Sequence, residues 1–334
     1  MHRILVTGGT GFVGGYAVLR LLDDGYEVRT TVRNLSRADE LRHLLAGHGA
    51  AIGRLEIVSA DLTKDDGWPA AAAGCQAVLH VASPFPSVAP DDPEQLVRPA
   101  RDGAIRVLAA ARDAGVDRVV LTSSFAAVGY SPTTNGGIYT EQDWTDPKGQ
   151  PAYIASKAIA ERAAWDFVAA NGGPDLAVIN PTGIFGPALG PDYSGSLGLI
   201  KQLLDGALPG TPNLAFGVVD VRDVVDAHLR AMTNPRAAGE RFIVVGGSPV
   251  TMHEIAMMLR SGLGPEARKV PTRQLPSWLV RGLARFRPQL RPMVPELGKR
   301  KQISNAKARA VLGWTPRSVQ ETIIETGRSL LQLS

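Results

Sequence analysis

A tyrosine and a lysine lie four residues apart, at Tyr153 and Lys157, in a segment whose apolar spacing predicts a helix to about Ala170. Residues at this spacing share a helix face, so the phenol and the ammonium are within reach of each other. Two unit charges about 4 Å apart at an effective dielectric of about 20 interact by roughly 4 kcal/mol, or about three pK units, and desolvation of the phenolate opposes that shift. We therefore predict that Lys157 lowers the pKa of Tyr153 and that Tyr153 is a proton donor.

A hydroxyl that could act with this pair is Ser124, in the segment Leu121-Thr122-Ser123-Ser124-Phe125. The segment closes the fifth predicted strand at its carboxyl end, the edge at which doubly wound sheets place their ligands. We expect Ser124 to hold a substrate oxygen. A turn-forming serine or a helix cap is the alternative, above all for Ser123.

The glycine-rich segment TGGTGFVG, residues 7–14, directly follows the first predicted strand and opens the first predicted helix. Glycines there permit a tight turn, close approach of the backbone to a pyrophosphate, and close packing of helix on strand. A glycine-rich turn of an unrelated α/β domain is the alternative. We predict a dinucleotide site whose residues here are Gly8, Thr10, Gly11, Phe12, Val13 and Gly14.

The end of the second predicted strand, VRTTVR at residues 28–33, lacks the acid that usually binds the adenosine ribose hydroxyls. Arg33, with Arg37, can instead meet the ribose phosphate of NADP through charge-assisted hydrogen bonds. NADP (as NADPH) is therefore predicted, with NAD less favoured. A solvated surface arginine is the alternative for Arg33. Asp61 and Leu62 follow the third predicted strand, where an adenine-contacting pair would lie, although an Asp there equally suits a helix cap.

Short apolar runs alternate with helical segments through the first half of the chain, at residues 4–6, 27–32, 55–58, 77–81, 118–121 and 176–180. This alternation predicts an α/β fold: a Rossmann-type doubly wound parallel sheet. Frequent prolines beyond Pro181 predict a smaller, irregular C-terminal substrate lobe. We place the NADP-binding domain, with Ser124, Tyr153 and Lys157, at residues 1–180. Residues 181–334 are mainly the substrate-binding lobe, with segments that return to the first domain.

Composition narrows the classes of function. The chain has 334 residues, 44% hydrophobic and 20% charged, and a net charge of +4, values that exclude disorder and give no argument for nucleic acid. The chain has one cysteine, Cys75, which suits a reducing compartment. The histidines lack the spacing of metal ligands, and no apolar stretch reaches the length of a membrane helix. The amino terminus lacks signal-peptide features. We expect a cytoplasmic protein with no metal, no membrane association and no nucleic-acid partner.

The sequence resembles the extended short-chain dehydrogenase/reductase family, in its branch of dihydroflavonol reductases, cinnamoyl-CoA reductases and microbial aldehyde or ketone reductases. The segments that carry the resemblance are TGGTGFVG, TTVRN, HVASPF at residues 80–85, LTSSFAAV at 121–128, INPTGIFGP at 179–187, VVDVRDVVDAHL at 218–229, and the Tyr-xxx-Lys pair.

The resemblance implies a Ser-Tyr-Lys triad at Ser124, Tyr153 and Lys157, with Lys157 also holding the nicotinamide ribose. It further implies that Ala82 and Ser83 line the cofactor channel and that Pro181 and Thr182 flank the nicotinamide. Residues 150–154, QPAYI, lack the cysteine that cinnamoyl-CoA reductases carry near this tyrosine, which disfavours thioester reduction. Glu40 replaces a second basic residue of related plant reductases, a role that Arg37 would have to take.

We therefore predict an NADPH-dependent reductase that transfers hydride to a small or medium, largely apolar aldehyde or ketone, as a monomer or homodimer, with Tyr153 as proton donor. The apolar substrate is inferred from residues 185–216, which are rich in leucine and offer only Lys201 as a cation. Two alternatives remain: a nucleotide-sugar epimerase or dehydratase that retains NAD(P), and a non-catalytic dinucleotide-sensing protein. The Arg-rich segment at residues 273–291 could supply charges for a nucleotide sugar.

Overall fold

The structure is a computed structural model that describes residues 2–83, 92–133, 136–191 and 195–333. Its strands are β1 (Arg3–Val6), β2 (Glu27–Val32), β3 (Leu55–Ser59), β4 (Ala77–His80), β5 (Arg118–Thr122), β6 (Ile138–Tyr139), β7 (Asp175–Pro181), β8 (Gly183–Phe185), β9 (Thr211–Pro212), β10 (Ala215–Phe216), β11 (Val218–Asp220), β12 (Glu240–Val244), β13 (Val250–Thr251), β14 (Gln274–Leu275) and β15 (Gln302–Ile303). Its α-helices are α1 (Phe12–Asp23), α2 (Ala38–Gly47), α3 (Trp68–Ala72), α4 (Glu94–Asp113), α5 (Ala152–Asn171), α6 (Gly195–Leu204), α7 (Val221–Thr233), α8 (Met252–Leu263), α9 (Ser277–Leu283), α10 (Ala306–Leu312) and α11 (Val319–Gln332).

A seven-stranded sheet organises the molecule, in the order β12-β7-β5-β4-β1-β2-β3, with every pairing parallel. Strand order reverses at β1, which pairs with β2 on one side and β4 on the other. Ligands bind at such a switch point, beyond the carboxyl ends of the strands. The prediction of a Rossmann-type doubly wound sheet is confirmed.

The apolar runs form these strands because both faces of the sheet are covered. Ile4 and Val6 belong to one core cluster and Leu5 to another, so alternate side chains of β1 pack against helices on opposite faces. In α1, Ala17, Leu21 and Leu22 are buried as well. Burial on both faces accounts for the apolar runs of β1, β4 and β5, whereas β2 and β3 include polar residues.

The second half of the chain also contributes to the sheet, since β12 pairs with β7 and adds its edge strand. Trp314 lies in the same core cluster as Ile4 and donates its indole N–H to the carbonyl of Asp223 at 2.8 Å. Both β12 and Trp314 lie beyond residue 180 and pack with the nucleotide-binding half of the chain. The division of the chain at residue 180 stays a prediction.

A separate core holds the remaining C-terminal helices together. Leu197, Ile200, Leu203 and Leu204 of α6 are buried against α8 and α11, with Phe185 beside them. The leucine-rich composition of residues 185–216 is therefore explained largely by packing of this lobe, and Lys201 pairs with Asp205 at 3.0 Å. Tyr193, within the same stretch, lies outside the described residues.

No helix in the described part of the chain is long and apolar enough to cross a membrane. Over the same ranges, no group of three or more His, Cys, Asp or Glu side chains is arranged to hold a metal ion.

Candidate active site

The glycine segment turns directly from β1 into α1. Gly8 has φ +73°, a conformation that L side chains rarely adopt. A Cβ on Gly14 would lie 2.2 Å from the carbonyl oxygen of Gly8, and one on Gly9 would lie 2.3 Å from Oγ1 of Thr30. Only glycine fits these close contacts, so the loop brings bare backbone to the amino terminus of α1.

The loop residues without such contacts have their own places. Gly11 is the N-cap of α1 and makes no side-chain capping bond, which leaves the first amides of the helix facing outward. Thr10 precedes that cap, and Phe12 and Val13 form the first turn, where Phe12 packs edge-on against Tyr16. A glycine cradle ending in an uncapped helix fits a pyrophosphate. The residues present therefore fit a dinucleotide.

Thr7 ties the loop to the next strand end, a role that the sequence analysis did not assign. Its Oγ1 accepts hydrogen bonds from the backbone N–H groups of Val81 and Ala82 at 3.0 and 2.9 Å, and it lies 2.9 Å from Nδ1 of His80. Ala82 in turn packs against Gly8, where an added Cβ would lie 3.0 Å from its side chain. The predicted channel residues Ala82 and Ser83 thus lie beside the glycine loop. Pro84 and Phe85 lie outside the described residues.

At the end of β2, the two candidate arginines differ. Arg33 is exposed, and no hydrogen bond or ion pair involves its guanidinium within the described ranges. The Nε of Arg37 donates to the carboxylate of Glu40 at 3.0 Å, so Glu40 neutralises the arginine that was predicted to assist. Arg33 is the cation that remains available to an incoming phosphate.

Asp61 and Leu62 follow β3 as predicted. Asp61 Oδ1 accepts hydrogen bonds from the backbone N–H and the hydroxyl of Thr63, both at 2.8 Å, and these bonds lower the pKa of Asp61. The carboxylate therefore shapes a local turn, and it caps no helix, because α3 begins at Trp68 with Gly67 as its N-cap. Leu62 packs its side chain against Gly103 of α4.

The three predicted catalytic residues come together at the carboxyl edge of the sheet. Ser124 follows β5 with an extended backbone, and its Oγ accepts a hydrogen bond from the N–H of Ala126 at 3.1 Å. The Ser124 side chain also hydrogen-bonds Tyr153, near the amino end of α5. Lys157, one turn further along α5, lies with its Nζ 5.9 Å from the centre of the Tyr153 ring.

Lys157 is 8% exposed, and its Nζ donates to Oγ of Ser83 at 2.9 Å. Burial disfavours the charged ammonium and lowers the pKa of Lys157 to about 8, while the nearby charge of Glu161 opposes that change. Burial likewise lowers the pKa of His80 to about 3, so this imidazole is neutral. The lysine is the titratable group of the site near neutral pH.

The prediction that Lys157 lowers the pKa of Tyr153 does not hold in this structure. Desolvation raises the pKa of Tyr153, and the opposing influence comes from the hydrogen bond with Ser124. The reason is geometric, since the ammonium lies over the ring and donates to Ser83. Tyr153 therefore keeps its proton at neutral pH, as a proton donor must.

Pro181 ends β7 as a buried residue, and the N–H of Thr182 donates to the carbonyl of Val244 at 3.2 Å. The preceding Asn180, missed by the sequence analysis, donates through Nδ2 to the carbonyl of Ser124 at 3.2 Å. Glu161 was also missed, although its spacing of four from Lys157 places it on the catalytic face of α5. That spacing was the signal that could have found it.

Comparison with known proteins decides the family. The model of the NAD dependent epimerase/dehydratase family matches residues 4–246. This chain belongs to that family.

Several proteins to which this chain is similar are named reductases. The chain is 34% identical over 330 residues to cinnamoyl-CoA reductase CAD2 of Medicago truncatula, covering 96% of this chain and 94% of the relative. It is 35% identical to dihydroflavonol 4-reductase of Zea mays, covering 77% and 73%. Yeast methylglyoxal/isovaleraldehyde reductase Gre2, solved with NADPH, superposes with a TM-score of 0.80 at 26% identity, covering 99% and 98%. The resemblance inferred from the motifs is confirmed.

In this epimerase/dehydratase-family chain, Gly14→Ala is expected to break the dinucleotide cradle, because its Cβ would lie 2.2 Å from Gly8 O. We expect a loss of about 1–3 kcal/mol in unfolding free energy and weaker NADPH binding by at least about tenfold, measured by denaturant unfolding and NADPH fluorescence. Gly47→Ala in α2 is the control, since its Cβ would meet nothing within 4 Å. An unchanged NADPH affinity in Gly14→Ala would contradict the cradle.

Lys157→Met is expected to stabilise the folded protein at pH 7 while abolishing activity. A lysine whose pKa falls from 10.5 to about 8 on folding costs about 3 kcal/mol at pH values below 8. Between pH 8 and 10.5 the unfolded wild-type chain binds a proton that the folded chain has released, so wild-type stability rises and the advantage of Met shrinks. Denaturant unfolding at pH 7, 9 and 10 measures this.

The control for this pH dependence is Lys148→Met, which changes an exposed lysine. Its stability difference from the wild type is expected to stay constant over the same pH range. A Lys157→Met advantage that grows with pH would contradict the assignment of Lys157 as the buried titrating group.

Proposed function

We propose that this chain is an NADPH-dependent reductase of a small or medium, largely apolar aldehyde or ketone, with Tyr153 as the proton donor. The observation that carries the proposal is the hydrogen-bonded Ser124–Tyr153 pair beside the buried Lys157, at the sheet edge that also holds the glycine loop. The named reductases among its relatives support the reaction class.

The cofactor fits the residues that surround this edge. NADPH is the cofactor in the yeast neighbour, and Arg33 is available for the ribose phosphate in this chain. The loop from Gly8 to Gly14 and the amino end of α1 would hold the pyrophosphate, while Ser83, Lys157, Pro181 and Thr182 would border the nicotinamide half. When bound, the reduced nicotinamide supplies the hydride.

The chain's own residues handle the substrate oxygen. Tyr153 is protonated at neutral pH and donates that proton to the oxygen as negative charge develops on it. Ser124 shares a hydrogen bond with Tyr153, so the same two hydroxyls can hold the oxygen in place. Lys157 positions the cofactor ribose and, when protonated, stabilises the tyrosinate that remains.

The substrate class is supported by the names of two structural and sequence relatives, an isovaleraldehyde reductase and a dihydroflavonol reductase. The leucines of α6 no longer support it, because they fill the core of the lobe. A second candidate is nucleotide-sugar epimerisation. It is favoured by Arg273, Arg281, Arg285 and Arg287, which are exposed and form no ion pair within the described ranges.

A panel assay separates these two candidates. NADPH oxidation is followed with aliphatic and aromatic aldehydes and ketones, beside nucleotide sugars incubated without added cofactor. Carbonyl-dependent NADPH oxidation supports the reductase. Conversion of a nucleotide sugar with no net NADPH use would replace it with the epimerase.

Tyr153→Phe is expected to lower kcat at least about 100-fold while changing the NADPH dissociation constant less than about threefold, because the lost hydroxyl acts on the substrate oxygen. Tyr139→Phe is the matched control, since that hydroxyl donates to the carbonyl of Ser131 and is expected to be dispensable. Retention of more than a tenth of the rate in Tyr153→Phe would show that another group is the donor.

Arg33→Ala is expected to weaken NADPH binding by about 1.5–3 kcal/mol and NADH binding much less, because only NADPH carries the ribose phosphate. Glu40→Gln is expected to strengthen NADPH binding, since it removes a carboxylate that holds Arg37. Fluorescence titration with both nucleotides measures each effect. Equal losses for NADPH and NADH in Arg33→Ala would remove Arg33 from the phosphate site.

A further inference from the structure

The catalytic face of α5 carries a third polar residue beyond the tyrosine and the lysine. Tyr153, Lys157 and Glu161 follow one another at intervals of four, and Glu161 is 1% exposed. A carboxylate removed from water in this way is costly unless it is paired and hydrogen-bonded. Its partners therefore show what the position requires.

Three separate elements supply partners to the Glu161 carboxylate. Ser123, after β5, donates its hydroxyl to Oε2 at 2.5 Å, and Asn180, in β7, donates Nδ2 to the same oxygen at 2.7 Å. Arg241, in β12, places its Nε 2.7 Å from Oε1 as an ion pair. The carboxylate is consequently held by residues of β7 and β12 and by the residue that follows β5, and the indole N–H of Trp165, on α5 itself, lies 3.5 Å from Oε1.

Two of these partners are joined to the catalytic serine. Ser123 precedes Ser124 in the chain, and Asn180 Nδ2 also donates to the carbonyl of Ser124 at 3.2 Å. Glu161 is thus connected, through Ser123 and Asn180, to the backbone that carries the Ser124 hydroxyl.

On its other side, Glu161 faces the catalytic lysine. A cavity of about 20 Å³ is lined by Lys157, Glu161 and other polar residues together with alanines and Leu121. The lysine has no ion pair within 4 Å in the described part of the chain, so the attraction of Glu161 reaches it across this small space. In a desolvated site such attraction is weakly screened.

The other titratable groups around Lys157 do not replace this negative charge. On α5 these groups are Tyr153 and Arg162. Tyr153 is neutral, and the guanidinium of Arg162 stacks on the Trp144 ring. His80 of β4 is neutral, and α4, which packs along α5, lines the cavity with the uncharged side chains of Ala100 and Ala104. From α7, His228 is neutral and contacts Thr122 at 2.6 Å.

Two further charged groups, Arg241 and Glu141, lie near Glu161. Arg241 is paired with Glu161, and the Glu141 carboxylate accepts the N–H of Ile243 at 2.9 Å. Arg241 also stacks on the Trp144 ring at 3.7 Å. Glu161 is therefore shared between a permanent cation, Arg241, and a titrating cation, Lys157.

We propose that Glu161 is the positioning residue of this site, whose fixed negative charge keeps Lys157 protonated and whose hydrogen bonds hold the backbone of Ser124. The proposal rests on the proposed function for the role of Lys157, but the protonation of Lys157 can be measured without turnover. The division of the attraction of Glu161 between Arg241 and Lys157 then sets the protonation equilibrium of the lysine.

The test is a direct titration of Lys157 in the cofactor-free full-length protein. The protein is labelled with ¹³Cε-lysine, its NMR signals are followed against pH, and the Lys157 signal is assigned by its loss in Lys157→Arg. Glu161→Gln is expected to lower the pKa of Lys157 by at least about one pH unit, which is a tenfold change in the protonation equilibrium. Arg241→Met is expected to raise it, because the whole charge of Glu161 then acts on Lys157.

Opposite shifts distinguish electrostatics from damage. Both variants break the same Glu161–Arg241 ion pair, so a general loosening of the site would move the Lys157 titration in the same direction in each. Ser123→Ala is the matched control, because it removes a hydrogen bond to Glu161 and leaves the charge, and it is expected to shift the titration by less than about a third of a pH unit. Thermal unfolding confirms that each variant is folded before it is titrated.

The outcomes that overturn the proposal are specific. They are an unchanged Lys157 titration in Glu161→Gln, or shifts of the same sign in Glu161→Gln and Arg241→Met. If Glu161→Gln does not fold, Arg241→Met alone decides, and a lowered or unchanged pKa of Lys157 rejects the proposal. Failure of the wild-type enzyme to reduce any carbonyl would reject the proposed function and leave the titration result standing.

Discussion

Burial of the Lys157 ammonium at the carboxyl edge of the sheet is the constraint on which the arrangement of the site depends. An amine in this position loses its hydration, so it needs both a hydrogen-bond partner and a nearby negative charge. Ser83, after β4, provides the first, and Glu161, one turn along α5, provides the second. Because Glu161 is itself buried, β7, β12 and the residue after β5 must in turn supply its partners.

This requirement explains why a strand from the second half of the chain closes the sheet. Arg241 belongs to β12, which pairs with β7 and brings its guanidinium against Glu161 while stacking on Trp144. The return of the chain to the sheet thus supplies a partner for the buried carboxylate of Glu161 as well as part of the core. Trp314 and Phe242 add apolar packing in the same cluster as Ile4, which fixes the position of these late segments.

The opposite side of the switch point depends on steric contact rather than on charge. Gly8 approaches Ala82, and Gly14 approaches the carbonyl of Gly8, at separations that leave no room for a side chain. Thr7 joins the two strand ends by accepting from Val81 and Ala82. The glycine loop and Ser83, the partner of Lys157, are therefore held in a fixed position relative to each other, although they lie far apart in sequence.

The sequence by itself determined the features that depend on local spacing. The glycine segment, the interval of four between Tyr153 and Lys157, and the apolar runs of the strands predicted the fold and the meeting of Ser124 with the tyrosine, because each follows from backbone geometry over a few residues.

Tertiary structure decided the features that depend on desolvation and on contacts between distant elements. The sign of the pKa shift of Tyr153 was set by desolvation and by the place of the ammonium over the ring, neither of which spacing along a helix specifies. Glu161 has partners in β7, in β12 and directly after β5. The leucines of α6, which the sequence predicted to line a substrate pocket, pack in the core of the C-terminal lobe. Composition records that a side chain is apolar or charged, but only the packed chain fixes what it faces.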